Sequence, residues 1–387
     1  MENLSALKPP YNGLNFVPET LPRGFYVDAA HFEAEMRDIW CRNWVYLCRA
    51  ETLEGPLHFR TFELGTQPIL LLRDEQNELR AFYNVCRHRG SVLCSEPSGR
   101  LPAKMLLCPY HNWSYALDGR LTKTSSKYPA ADFNKSDYPL HGIAITEWRG
   151  FVFVHLAGED APAFKPEFDL DSVNLDHWPL ESLKCAHSST KILDCNWKIF
   201  WENFSECLHC PSAHPELSDL VPIYKRAYQD ERDDPQWAEH AQSSDPKYKG
   251  GLKPGAVSWS MDGQAHAPQF ENLNEAERRA GHNFVIKLPS MMMVGHVDYV
   301  RILRMRPLSP TKTELYVEWL FLPSAMAAPE FDITPIVDFV DLVMAQDAAL
   351  CALNQKGLSA SAHESGVLMP EEYVVHDFHN WIRGALK

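Results

Sequence analysis

The chain has 387 residues, 45% of them hydrophobic, and a formal net charge of −14. That length suits two domains or one large one with ample cores. The acidic balance argues against nucleic acid or an anionic membrane as partner. Ten cysteines in a chain this size read as metal ligands and buried thiols, because the opening MENLSALKPPYNGLNFVPET lacks a charged-then-apolar run. A reducing, cytoplasmic setting follows as the expectation. No stretch approaches a membrane-spanning length, and no Gly-x-Gly-x-x-Gly marks a nucleotide or flavin site.

Residues 1–27 are Pro-rich and expected to be extended. Asp28 to Trp40 reads as a helix with Phe32, Met36 and Trp40 along one face. The runs at 44–48, 58–64, 68–74 and 79–84 are short, apolar or alternating, and bounded by turn residues. They predict strands of a small antiparallel domain, closed by GFVFVHL at 150–156. Residues 157–187 form a Pro- and Asp-rich connection. SSTKILD (188–194) leads into NWKIFWENFSECLHCPSAHPEL, where Asn196 to Leu217 predicts a helix that Pro211 ends or kinks. Residues 225–281 are polar and predict a surface excursion or lid, with VSWSMDG (257–263) alternating like a strand. Consecutive strands follow over 284–322, then helices at about 335–355 and 371–385. Strands followed by helices that return to one sheet face give an α+β pattern.

Two constellations carry chemistry. The first is Cys86-x-His88, nineteen intervening residues, then Cys108-x-x-His111. Two loops that each present one sulfur and one nitrogen suit a [2Fe–2S] cluster with both thiolates on one iron and both imidazoles on the other. A structural Cys2His2 zinc is the competing reading, though zinc loops favour Cys-x-x-Cys. Cys94, between the loops, reads as a bystander thiol.

The second constellation packs Glu206, His209 and His214 into nine positions. On a helix, Glu206 and His209 would share a face. Two neutral imidazoles need one carboxylate to make the facial triad of a non-haem Fe(II) site. At one hundred degrees per residue, Asp347 points with Ile336, Val340, Val343, Leu350 and Cys351, whereas Asp338 and Asp341 point away. A lone carboxylate in an apolar stripe needs a cation or hydrogen-bond donors. A buried arginine or amide would also satisfy Asp347, and two core histidines are the plainer reading of the pair alone. Cys207-x-x-Cys210 matches a redox or zinc pair but lacks a second pair, so both read as packing residues.

The motifs CRHRG, CPYHNW, NWK, ENFSECLHCPSAHP and QDAALCALNQKG together resemble the catalytic alpha subunit of Rieske non-haem iron oxygenases over nearly the whole chain. The resemblance implies an N-terminal Rieske antiparallel β domain at 44–156 and a C-terminal helix-grip catalytic domain with a large antiparallel sheet at 157–387. Residues 1–43 would pack on the catalytic domain. By position, Cys86, His88, Cys108 and His111 match the [2Fe–2S] ligands, and His209, His214 and Asp347 match the mononuclear Fe(II) ligands. Glu206 matches the acidic residue that bridges the two centres between neighbours of a head-to-tail homotrimer. A glutamate there, with LKPGAVSWSMDG, resembles the glycine betaine, stachydrine and carnitine oxygenase group. The implied activity is O2-dependent hydroxylation of an N-methyl group, yielding formaldehyde and a demethylated amine. A separate NAD(P)H reductase would supply the electrons. Trp259, Phe204, Phe270 and Tyr299 are available as aromatic faces for such a cation, and each also reads as ordinary core. Hydroxylation or O-demethylation of an aromatic acid is the alternative. A non-catalytic iron–sulfur carrier is the reading from another class, and it gives no account of the Asp347 stripe.

Overall fold

The computed structural model describes residues 11–166 and 175–387. The chain separates into two compact units, Glu35–Glu167 and Met1–Ala34 with Phe168–Lys387. Among the described residues no helix is long and apolar enough to cross a membrane.

The unit Glu35–Glu167 is antiparallel β structure. Its main sheet runs β4–β3–β2–β5, with β2 at His58–Leu64, β3 at Gln67–Arg73, β4 at Leu79–Tyr83 and β5 at Ser98–Arg100. A second sheet pairs β6 (Leu106–Leu107), β7 (Ser114–Tyr115) and β8 (Leu121–Lys123). A third pairs β1 (Val45–Arg49), β10 (Phe151–His155) and β9 (Ala144–Trp148). Strand β3 is continuously apolar because Ile69 to Leu72 are all fully buried. One core cluster joins Phe59, Leu70 and Leu72 to Cys86, Cys108, Trp113 and Tyr115. The two cysteines of the first constellation are thus set in the packed interior.

The other unit holds a five-stranded antiparallel sheet in the order β11–β15–β14–β13–β12. Its strands are β11 (Lys184–Leu193), β12 (His282–Lys287), β13 (Met291–His296), β14 (Val300–Ser309) and β15 (Lys312–Phe321). Met291 to Met293 are fully buried, as a strand covered on both faces requires. Two helices matter most: α1 (Trp197–Phe204) and the long α4 (Thr334–Leu358). Between them lie α2 (Cys210–Ala213) and α3 (Pro215–Leu220), and α5 (Tyr373–Ala385) follows. Buried Asn196 caps α1 by accepting from the Lys198 N–H and donates from its amide to the Pro310 carbonyl (2.8 Å). Its own backbone N–H donates to Gln355 Oε1 at 2.7 Å. The start of α1 is therefore tied to the end of α4, joining the NWK and NQKG segments.

Three local expectations change. The predicted helix stops at Phe204, well before Pro211, because Ser205 turns the chain and its hydroxyl bonds back to the Trp201 carbonyl (2.7 Å). Pro211 instead opens the separate short α2, where its missing N–H costs nothing. Residues 257–263 form no strand: Gly263, at φ +73°, folds the segment back so that its carbonyl accepts from the Val257 N–H. Strand β11 starts at Lys184, inside the segment expected to be a connection, of which 167–174 lie outside the described residues.

Candidate metal centres

The first constellation is two loops with the same backbone wiring. The N–H of Cys86 donates to the Ser91 carbonyl and that of Cys108 to the Trp113 carbonyl, both at 2.8 Å. The carbonyls of Cys86 and Cys108 accept from Gly90 and Asn112, both at 3.0 Å. Gly90 (φ +77°) and Asn112 (φ +53°) both take the left-handed conformation that closes such a knuckle. Asn84, missed in the sequence reading, clamps the first loop by accepting from the Leu93 and Cys94 N–H groups.

Inside the knuckles the donors sort by chemistry. Cys86 and Cys108 are buried, whereas His88 is exposed and His111 half-buried. The imidazole rings of His88 and His111 stand 4.8 Å apart, and His88 stacks flat on Trp113. Burial pushes the Cys86 thiol up, and neighbouring Cys108 adds to this against the Tyr115 hydroxyl 3.2 Å away. Two buried sulfurs side by side take charge readily only with a cation between them. Burial, His88 and Arg89 push His111 below its ordinary value, and its buried Nδ1 has no partner among the described residues. Inward sulfurs, outward imidazoles and a ring nitrogen with no partner among the described residues fit a [2Fe–2S] cluster.

The second constellation assembles from three segments. Glu206 and His209 lie on the loop between α1 and α2, not on a helix, yet they meet: His209 Nδ1 is 2.5 Å from Glu206 Oε1. The other carboxylate oxygen accepts from the Leu208 N–H, which folds the loop around the pair. His214, between α2 and α3, has Nδ1 2.7 Å from Gln346 Oε1 on α4, and Gln346 donates in turn to Glu216 (3.0 Å). Acceptors on both Nδ1 atoms fix the protons there and leave both Nε2 atoms for a metal. Those two atoms converge on Asp347 Oδ1, at 2.9 Å from His214 and 3.5 Å from His209. Asn203 on α1 holds the same oxygen at 2.8 Å. One ligand atom from each of His209, His214 and Asp347 lies within 4.8 Å of the others, a group able to hold a metal ion.

The electrostatics agree. Burial raises the Asp347 carboxyl, but His209 and His214 outweigh it and hold it well below the usual carboxylate range. Burial lowers His209, but Asp347 and Glu206 lift it to about 9; burial also lowers His214, but Asp347 and Gln346 raise it above its ordinary value. This concentration of opposing charge is what a dication would relieve. The apolar stripe is as expected: Ile336, Val340, Val343 and Cys351 are buried, Asp338 is exposed, and Asp341 pairs with Lys191 at 3.0 Å. Cys207 and Cys210 are packed in the core as expected, but they are also joined in a disulfide that encloses Leu208 and His209. The remaining eight cysteines are in no disulfide.

A cavity opens on the triad. Helix-side walls come from Phe200, Phe204, Val343 and Met344, and sheet-side walls from Phe284, Val294, Arg301 and Leu303. Trp259 and Tyr224 also line it, whereas Phe270 and Tyr299, the other two aromatics considered in the sequence, do not.

Residues 43–134 match the family described as Rieske [2Fe-2S] domain, and residues 172–387 match Ring hydroxylating alpha subunit (catalytic domain). The chain belongs to the Rieske non-haem iron oxygenases, and its cofactors are a Rieske [2Fe–2S] cluster and a mononuclear iron. It is 31% identical to the glycine betaine monooxygenase oxygenase subunit of Chromohalobacter salexigens, over 94% of this chain and 84% of that one. It is 34% identical to the carnitine monooxygenase oxygenase subunit of Escherichia coli, over 53% of this chain and 54% of that one. In fold it is similar to the quaternary ammonium Rieske monooxygenase CntA in complex with L-carnitine, with TM-score 0.66 and 20% identity, covering 95% of this chain and 96% of that one.

Proposed function

We propose that this chain is the oxygenase component of a monooxygenase that hydroxylates an N-methyl group of a betaine-like quaternary ammonium compound. The observation that carries the reading is the cavity at the triad, lined by Phe200, Phe204, Tyr224, Trp259 and Phe284. A quaternary ammonium offers no hydrogen bond and is held by aromatic faces. The 31% identical glycine betaine monooxygenase subunit supports the same class.

His209, His214 and Asp347 would hold iron, and Cys86, His88, Cys108 and His111 the cluster. Bound there, the iron would supply dioxygen activation and the cluster one-electron storage. In the overall reaction one oxygen atom enters a methyl C–H bond. The other leaves as water, taking two electrons from NAD(P)H through a separate reductase and two protons, one from NAD(P)H and one from solvent. The N-hydroxymethyl product loses its hydroxyl proton. Its C–N bond then breaks with the electron pair passing to nitrogen, and formaldehyde and the tertiary amine leave. Glu206 and Gln346 orient the two imidazoles, and the aromatic walls exclude water from the methyl group. In a head-to-tail homotrimer Glu206 would also accept from His111 of the partner subunit, linking the two centres. We assign the protein to the cytoplasm, where the eight cysteines outside the Cys207–Cys210 disulfide stay reduced.

The test is a substrate panel with a generic reductase, NADH and O2, scored for formaldehyde. Release from betaines is the expected result. Release from aromatic methyl ethers or hydroxylation of aromatic acids, with none from betaines, would replace the reading by the aromatic-acid one.

A further inference from the structure

Strand β14 carries three arginines. Arg304 and Arg306 alternate onto one face and both lie against Glu314 of β15, at 3.9 and 2.8 Å. Arg301 is out of phase with them and falls on the other face, toward the cavity. The register confirms its place: Phe284, Val294 and Arg301 are direct cross-strand neighbours on β12, β13 and β14, and all three line the cavity.

Arg301 is only 4% exposed, yet its side chain makes no hydrogen bond or ion pair with any described residue, and its Nε is buried without a partner among them. Asp347 is near enough to act on it electrostatically, but that carboxylate is already committed to His209, His214 and Asn203. The nearby imidazoles do not compete, since burial holds His282 at about 4 and His296 well below its ordinary value. Trp259 on the same cavity also has a buried indole N–H without a partner. A buried, uncompensated guanidinium is destabilising. Two orphaned donors on one cavity call for an acceptor that the chain does not contain among its described residues.

We propose that Arg301 is the anchor for a carboxylate on the substrate, so that the pocket selects a zwitterionic betaine over a quaternary ammonium without an acid group. This rests on the N-demethylation reading and narrows it. The fork of a guanidinium matches a carboxylate in two parallel hydrogen bonds. The trimethylammonium end would then lie among the aromatic faces, toward the triad. Charge neutralisation at Arg301 and aromatic contact at the cation are separate contributions, so one can be removed while the other stays.

The experiment uses the full-length enzyme and two probes that share a trimethylammonium group, glycine betaine and choline, with benzoate as a third. Binding is read from tryptophan fluorescence, independent of turnover. Wild type is expected to bind glycine betaine more tightly than choline. Arg301→Gln should lose about 10- to 150-fold in betaine affinity, the range of one charged hydrogen-bonding partner, and leave choline within about threefold. Arg301→Lys, which keeps the charge and loses the fork, should fall between. Without ligand, Arg301→Met should melt no lower than wild type, because it removes an unpaired buried charge. Equal affinity of wild type for both ammonium probes, an equal loss of both in Arg301→Gln, or marked destabilisation in Arg301→Met would each overturn the proposal. Arg301-dependent binding of benzoate with no binding of either ammonium compound would keep the anchor and sink the demethylase reading instead.

Discussion

Replacing Asp347 by Asn isolates the carboxylate on which the catalytic site depends. The substitution keeps the shape and can still accept from Asn203, but it removes the charge facing both imidazoles. The His214 contact at 2.9 Å is a charged hydrogen bond, worth about 1.5–3 kcal/mol. That bond belongs to the metal-free protein, because iron would take the His214 Nε2. Losing an outer-shell partner of a ligand costs about 10- to 100-fold in metal affinity, and losing the anionic ligand itself should cost more. The knuckles of the other unit are untouched. The purified variant should therefore retain the visible cluster spectrum and hold about two irons per chain where the parent holds about three. Elemental analysis beside the absorption spectrum decides it. A variant with the full iron complement and parental turnover would show that Asp347 is not a ligand.

Other expectations follow from the same geometry. Glu206→Gln keeps a hydrogen-bond acceptor for His209, so iron content should fall by less than about tenfold in affinity while turnover stops; parental formaldehyde release would refute the bridging role. In the metal-free protein His209 titrates at about 9 and is protonated at pH 7, so Fe(II) must displace a proton. Apparent affinity should climb by about tenfold per pH unit between 7 and 9 and flatten above, as titration calorimetry in several buffers would reveal. The stabilising contribution of that raised pKa is complete below the unfolded value near 6.5 and fades as pH rises through 9. Tyr115→Phe removes the hydroxyl that faces the Cys86 sulfur and accepts from the Arg87 N–H. It should lower the cluster's midpoint potential and cost about 1–2 kcal/mol of stability, by redox titration and denaturant melting. Asn196→Ala loses a cap and the Pro310 bond and should cost about 2–3 kcal/mol in the same melting experiment.

The residues proposed as metal ligands could be grouped from the sequence because such chemistry restricts residue type and spacing. Asp347 could be read from helical phase alone, since α4 is one unbroken helix whose apolar face is continuous. The strands of 284–322 were legible for a related reason: short apolar runs between turn residues have few other uses. The loop holding Glu206 and His209 was misread as helix because its spacing is also a helical spacing. What ends α1 is a serine hydroxyl bonding back to a carbonyl, a contact that composition does not announce. The turn at 257–263 failed similarly, since alternation is shared by strands and by folded-back loops with a glycine at the bend. Arg301 carried a readable signal that went unused: it stands out of phase with Arg304 and Arg306 along one strand.

The two imidazoles of the catalytic site are each braced from behind by a different part of the chain, His209 by its own loop and His214 through Gln346 and Glu216. Those braces are protein groups and do not come from the metal. Enzyme stripped by chelation or oxidative loss should regain activity on simple addition of ferrous salt, with no passage through an unfolded state. Inactivation of that kind would be a matter of refilling, and recovery would be set by metal supply.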